Sequence, residues 1–268
     1  MINEMLNLFF YSFTSPKKME SIMKNGIKKT CLIICTVLII STSICAADEF
    51  QSTTSSSMGL WFGTIDVNKV CEIHATSNDT VTPKQTSHNF TLPILLHVNE
   101  SGNVNLLSEV TVMQYPSSSA NYGQRVLITD QSLLANYEGV IRRNGKLVGI
   151  RLASPAFPME YTDGSLETSH PMEGNISLGG EITTILTYSA NHPTNPYRHH
   201  YHPDVDEGFA VTRTITLTFD AQSQAGNNTD TTLTGTYNES LAGLHKSSLL
   251  TEGRFILNWI NNLSTLNP

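Results

Sequence analysis

The run from Phe209 to Phe219 constrains this chain more than any other stretch. Phe209, Val211, Ile215, Leu217 and Phe219 fall on one parity, and Thr212, Thr214, Thr216 and Thr218 fall on the other. Arg213 alone breaks the apolar side. Successive side chains of a strand point to opposite faces, so this pattern predicts a strand with one buried and one wet face.

The same period recurs elsewhere. Phe90, Leu92, Ile94, Leu96 and Val98 share a parity and stop at the turn Asn99-Glu-Ser-Gly102. Val104, Leu106, Val110 and Val112 follow as the partner strand of a hairpin. Asn144-Gly145 marks a second hairpin between GVIRR and KLVGIRL, because positive φ costs little at such a pair. Thr231 to Leu244 and Leu249 to Ile260 form a third around His245 and Lys246; Gly59 to Val67 and Ile176 to Tyr188 complete the set. Leu133 to Tyr137 reads as one helical turn, and no long apolar run repeats at helical spacing. Strands that neighbour in sequence and pair by hairpins predict an all-β fold, one antiparallel β-sandwich or β-barrel of roughly eight to ten strands. Ser154 to Glu173 and Ala190 to Gly208 read as long loops, which are uncommon unless functional.

Lys24 to Ala47 sets where this domain is expected to begin. Lys24, Lys28 and Lys29 precede a charge-free apolar run from Cys31 to Ile40, and Ala46 and Ala47 follow. Basic, apolar and small-residue segments in that order make a secretory signal peptide. Residues 1–47 are expected to be removed as signal, with Met23 as a natural start and residues 1–22 as an extension before it. The apolar run is shorter than the roughly 20 residues of a membrane span, so no stable span is expected after cleavage. Acylation at Cys45 would make a lipoprotein, but Ile44 stands where such sites carry a small residue. Residues 48–58 read as a flexible polar leader and residues 59–268 as a single all-β domain, secreted or periplasmic.

Loss of residues 1–47 removes five Lys and two Glu. The formal charge then moves from −7 to −10, with 11 basic against 21 acidic residues. Phosphate backbones are bound by clustered cations, so nucleic acid is not an expected partner. Cys71 is then the only cysteine left, which excludes an internal disulfide; a buried place in a strand is expected for it.

One segment concentrates chemistry. Asn195-Pro-Tyr-Arg-His-His-Tyr-His-Pro-Asp-Val-Asp-Glu207 brings together His199, His200, His202, Asp204, Asp206 and Glu207. In extended backbone His200 and His202 point to the same side, and imidazole with carboxylate suits a divalent metal ion. Pro196 and Pro203 also stiffen the segment, and its aspartates can cap turns, which is a purely structural role. His97, His170, His192 and His245 stand alone and are read as structural or exposed. Glu109, Glu160 and Glu181 are candidates for paired carboxylates by residue type.

The spacing His200-x-His202-x4-Glu207 resembles the first metal motif of the cupin family, which implies a double-stranded β-helix holding a divalent ion. Thr214 stands where that family has a glycine, and no second motif follows. Gly59-Leu60-Trp61 resembles the Gly-x-Trp opening of lipocalin-like barrels, which implies a barrel mouth for a small apolar ligand. GLWFGTIDVNKV, NPYRHHYHPDVD, TRTITLTF and GTYNESLAGLH together resemble an uncharacterised β-rich module of exported bacterial proteins, which implies one coherent domain and no particular activity.

The sequence has no Gly-x-Ser-x-Gly elbow, no phosphate-cradling loop with lysine and no His-Glu-x-x-His helix. The expected function is therefore an exported binding or interaction module, without catalysis, whose partner is a protein, a glycan or an apolar small molecule. The alternatives are a metal-dependent enzyme working through the 199–207 segment and a structural protein of the envelope.

Overall fold

The computed structural model describes residues 57–73, 82–159, 161–162, 165–193, 195, 209–221, 232–244 and 247–268. Ser57–Pro268 form one compact unit. In chain order the strands are β1 (Gly59–Glu72), β2 (Lys84–Val98), β3 (Val104–Leu107), β4 (Glu109–Gln114), β5 (Arg125–Ile128), β6 (Glu138–Gly139), β7 (Ile141–Arg143) and β8 (Lys146–Val148). They continue as β9 (Ile150–Ala153), β10 (Tyr161–Thr162), β11 (Ser165–Leu166), β12 (Ser169–Gly174), β13 (Glu181–Tyr188), β14 (Val211–Phe219), β15 (Thr232–Ala242) and β16 (Leu249–Asn261).

Eight of them close into an antiparallel barrel in the order β1-β2-β3-β12-β13-β14-β15-β16, with β16 pairing back onto β1. Closure leaves the barrel no open edge. The period-two pattern explains the filling. Ile65, Leu92, Ile94, Leu106, Ile182, Ile215, Leu217, Tyr237, Phe255 and Leu257 all point inward and are fully buried. Each such side chain stabilises the fold by roughly 1.5–3 kcal/mol relative to exposure. Phe219 and Phe255 meet edge to face, with ring centroids 5.3 Å apart. The threonines of β14 face outward, and Thr183 and Thr216 share a hydrogen bond of 3.1 Å across β13 and β14. The alternation read from Val211 onward is thus realised; Phe209 lies before the strand and is 45% exposed.

The predicted partner strand from Val104 to Val112 divides at Ser108. Val104 and Leu106 fill the barrel, whereas Leu107, Val110 and Val112 join Leu60, Leu95 and Leu127 in a second core outside it. Ser108 donates its N–H to Thr168 O and accepts from Ser154 N–H, so the chain steps out of the barrel there. Residues 108–168 are an insertion between neighbouring barrel strands β3 and β12. In it β5, β4, β6 and β9 form a four-stranded sheet that packs on the outer face of β1, β2 and β3. The 3-10 helix at Gln131–Asn136 confirms the single helical turn expected near Leu133.

The stretch from Ser154 to Glu173, expected as a loop, holds β10, β11 and the barrel strand β12. Pro171 hid that strand, because it cannot donate to a ladder; its carbonyl accepts from Thr184 Oγ1 at 2.9 Å instead. Gly179 and Gly180 lie in the turn before β13, not within the strand. Cys71 sits near the end of β1 and is only half-buried, so the expected core position is not where it lies.

Registry defines two ends of the barrel. The short turns at 99–103 and 175–180 mark one end. The 108–168 insertion and the connections β1–β2, β13–β14 and β15–β16 leave from the other. At this insert end Phe157 is fully buried inside the mouth, beneath the Arg213 guanidinium, whose centre lies 5.1 Å from the ring centroid. Arg213 Nη1 donates to Ala156 O at 2.7 Å and Tyr188 Oη to Pro158 O at 2.7 Å. Residues 154–159 therefore plug that mouth.

Candidate functional site

A half-open cleft of about 840 Å³ lies where the insertion leaves the barrel. Four separate segments wall it, at 108–109, 129–131, 151–158 and 166–169. The step at Ser108 places Glu109 in its wall. Gln131 Nε2 donates to Glu109 Oε1 at 2.6 Å, and Arg151 pairs with Oε2 from β9. Both carboxylate oxygens thereby have a partner, while Arg151 stays largely exposed.

The next wall, residues 129–131, is braced from behind by the C-terminal tail. Asn267, at φ 53°, accepts from Thr129 N and Asp130 N through Oδ1 at 2.8 and 3.1 Å. Its Nδ2 donates to Thr129 Oγ1 at 2.8 Å, and its own N–H donates to Leu127 O at 2.8 Å. Asp130 then caps the 3-10 helix, with Oδ1 accepting from the Ser132 hydroxyl and N–H. Those bonds favour the ionised form and hold its carboxyl below the usual range. Leu166, half exposed, and Pro155 and Pro158 give the cleft an apolar side. An arrangement of fixed carboxylate, amide, guanidinium and hydroxyl groups opposite apolar carbon suits a ligand with many hydroxyls and an apolar face.

A second polar cluster lies inside the barrel. Glu239 accepts from Arg213 Nε at Oε1 and from Tyr237 Oη at Oε2, the latter at 2.5 Å. Burial is the main reason that the Tyr237 phenol is pushed well above its ordinary value. The break in the apolar parity at Arg213 is thus satisfied by a carboxylate on the next strand. Its partners are barrel strands and the plug, a stabilising arrangement.

The candidates named from sequence fall in different places. His199, His200, His202, Asp204, Asp206 and Glu207 lie outside the described residues, as do Glu160 and His245. Asn195 is described and buried; its Nδ2 donates to Ser189 O at 2.8 Å and Phe209 O at 2.6 Å, which ties together the two flanks of that segment. Glu109 lines the cleft, whereas Glu181 begins β13 at the opposite end of the barrel and accepts from Thr218 Oγ1. Those two carboxylates do not meet. His97 is buried on the outer face of β2, with Nε2 3.1 Å from Leu263 O. Trp61 is core at the start of β1, its Nε1 donating to Ser57 O at 2.7 Å. Among the described residues no group of three or more His, Cys, Asp or Glu is placed to hold a metal ion, and no helix is long and apolar enough to cross a membrane.

Sequence reasoning missed Gln131, Arg151 and the Thr168–Ser169 wall. No local signal marks them, because the cleft is assembled from positions up to 61 residues apart in the chain, Ser108 to Ser169. The barrel's consecutive pairing also differs from the double-stranded β-helix that the cupin resemblance implies, which pairs strands distant in sequence. In comparison with known proteins, the chain matches no protein-family model and no curated protein.

Proposed function

We propose that this chain is an exported, non-catalytic recognition module that binds a glycan in the cleft between barrel and insertion. The observation that carries the reading is the doubly held Glu109 carboxylate in the wall of a half-open cleft that also offers apolar surface. A carboxylate on β4 and an amide at the start of the 3-10 helix are suited to hydroxyl pairs on a sugar, and Leu166 with Pro155 and Pro158 offers a surface for a ring's C–H face. The cleft volume lies within the ordinary range for small-ligand sites. A ligand in the barrel lumen is less well supported, since Phe157 and the inward side chains fill it.

Calorimetric titration against a panel of soluble oligosaccharides tests the reading. Binding by the native chain, weakened at least about tenfold by Glu109→Ala with folding unchanged, is expected. No binding to any member of the panel, or equal binding by the variant, overturns it.

A further inference from the structure

We infer that the β7–β8 hairpin is a docking surface for an anionic lipid bilayer. The hairpin leaves the inserted sheet between β6 and β9, which lie end to end along β4. Asn144 and Gly145, at φ 49° and 78°, make its tight turn. Every residue from Ile141 to Leu147 is exposed.

Arg142, Arg143 and Lys146 cluster on that tip, in a chain whose formal charge is −7 overall. None of the three has a carboxylate within ion-pair distance among the described residues. Ile141 and Leu147 stand among them, 43% and 45% exposed, so the hairpin offers aliphatic carbon beside its cations. Registry pairs Ile141 with Val148, Arg142 with Leu147 and Arg143 with Lys146, so apolar and cationic side chains are interleaved on one small ordered element. The base is rigid: a Cβ on Gly139 would come within 2.2 Å of the Val148 backbone, so the hairpin packs directly across that glycine.

Exposed cations with no carboxylate partner among the described residues, beside exposed aliphatic side chains, match a surface that offers both anionic headgroups and an apolar interior. A soluble polyanion would engage the cations and leave Ile141 and Leu147 without a role. The acidic remainder of the chain does not oppose such contact, because beyond a Debye length of about 8 Å its charge is screened at physiological salt. This inference rests on the hairpin alone and is independent of ligand binding in the cleft.

Cosedimentation with phosphatidylcholine vesicles, with and without phosphatidylglycerol, tests it together with hydrogen exchange on the full chain. Binding that depends on phosphatidylglycerol and slowed exchange at residues 141–147 are expected. Substituting R142E, R143E and K146E together should weaken that binding at least on the order of a hundredfold, about fivefold for each cation lost before the repulsion of the added carboxylates. Ile141→Ser with Leu147→Ser should weaken it as well, with the barrel's circular dichroism unchanged. Protection confined to other segments, insensitivity to the charge reversal, or full binding by the double serine variant overturns the inference; the last would point to a soluble polyanion.

Discussion

Arg213 on β14 and Glu239 on β15 form an ion pair that is sealed from water, diagonally across the ladder with Arg213 opposite Leu241 and Glu239 opposite Ile215, and with side chains 0% and 2% exposed. Two charges in such a place are costly unless paired, and removing one partner strands the other. Arg213→Met should therefore cost about 3–5 kcal/mol, whereas Arg213→Met with Glu239→Leu should cost clearly less. Urea unfolding of the three proteins measures this. Equal losses in the single and double variants would show that the charges are not coupled.

His97 gives the fold a pH dependence of definite sign. Burial lowers its pKa below the ordinary 6.5, and the bond to Leu263 only partly offsets this. The unfolded chain then binds a proton that the folded chain resists. Stability is highest above pH 6.5, falls as the pH drops through that value, and levels off below the folded pKa. Asp130 and Asp220 are also lowered but titrate in a more acidic range, so among the shifted groups of the described residues only His97 acts in the upper part of the window. Melting temperatures between neutral and mildly acidic pH should decline for the native chain and stay flatter for His97→Gln.

Asn267 ties the tail to the cleft wall through three side-chain hydrogen bonds. Asn267→Ala removes all three and places alanine at a positive φ that it disfavours. A loss of about 1–3 kcal/mol is expected, with faster amide exchange in β5 than in the barrel. Uniform exchange across both sheets would show that the tail does not brace this wall.

Asn195→Ala should likewise lower stability by about 1–2 kcal/mol, since it removes the amide hydrogen bonds that tie Ser189 O to Phe209 O. Thermal unfolding reads this out, and an unchanged midpoint would contradict the clamp.

Much of the barrel was legible because its strands obey a period of two over long runs, as β14 and β2 do. Other features lay beyond that signal. Pro171 disguised β12, and the outward step at Ser108 looked like continued alternation because Val110 and Val112 keep the parity of Val104 and Leu106. A shift of one residue reverses which face is buried, and Ser108 achieves this without any local composition change. The net charge likewise concealed Arg142, Arg143 and Lys146, which a chain-wide sum cannot place. The cleft was illegible for a different reason. Of its polar residues only Glu109 was named from sequence, and only by residue type; Arg151 reaches it through the pairing of β9 with β4, and Gln131 from the 3-10 helix after β5.

Backbone amide shifts during titration with the tightest-binding oligosaccharide test the recognition site most directly. Shifts concentrated at Glu109, Gln131, Arg151 and Thr168, and lost in Glu109→Ala, are predicted. Shifts spread over the barrel interior, or centred on segments away from this cleft, would contradict the proposed site.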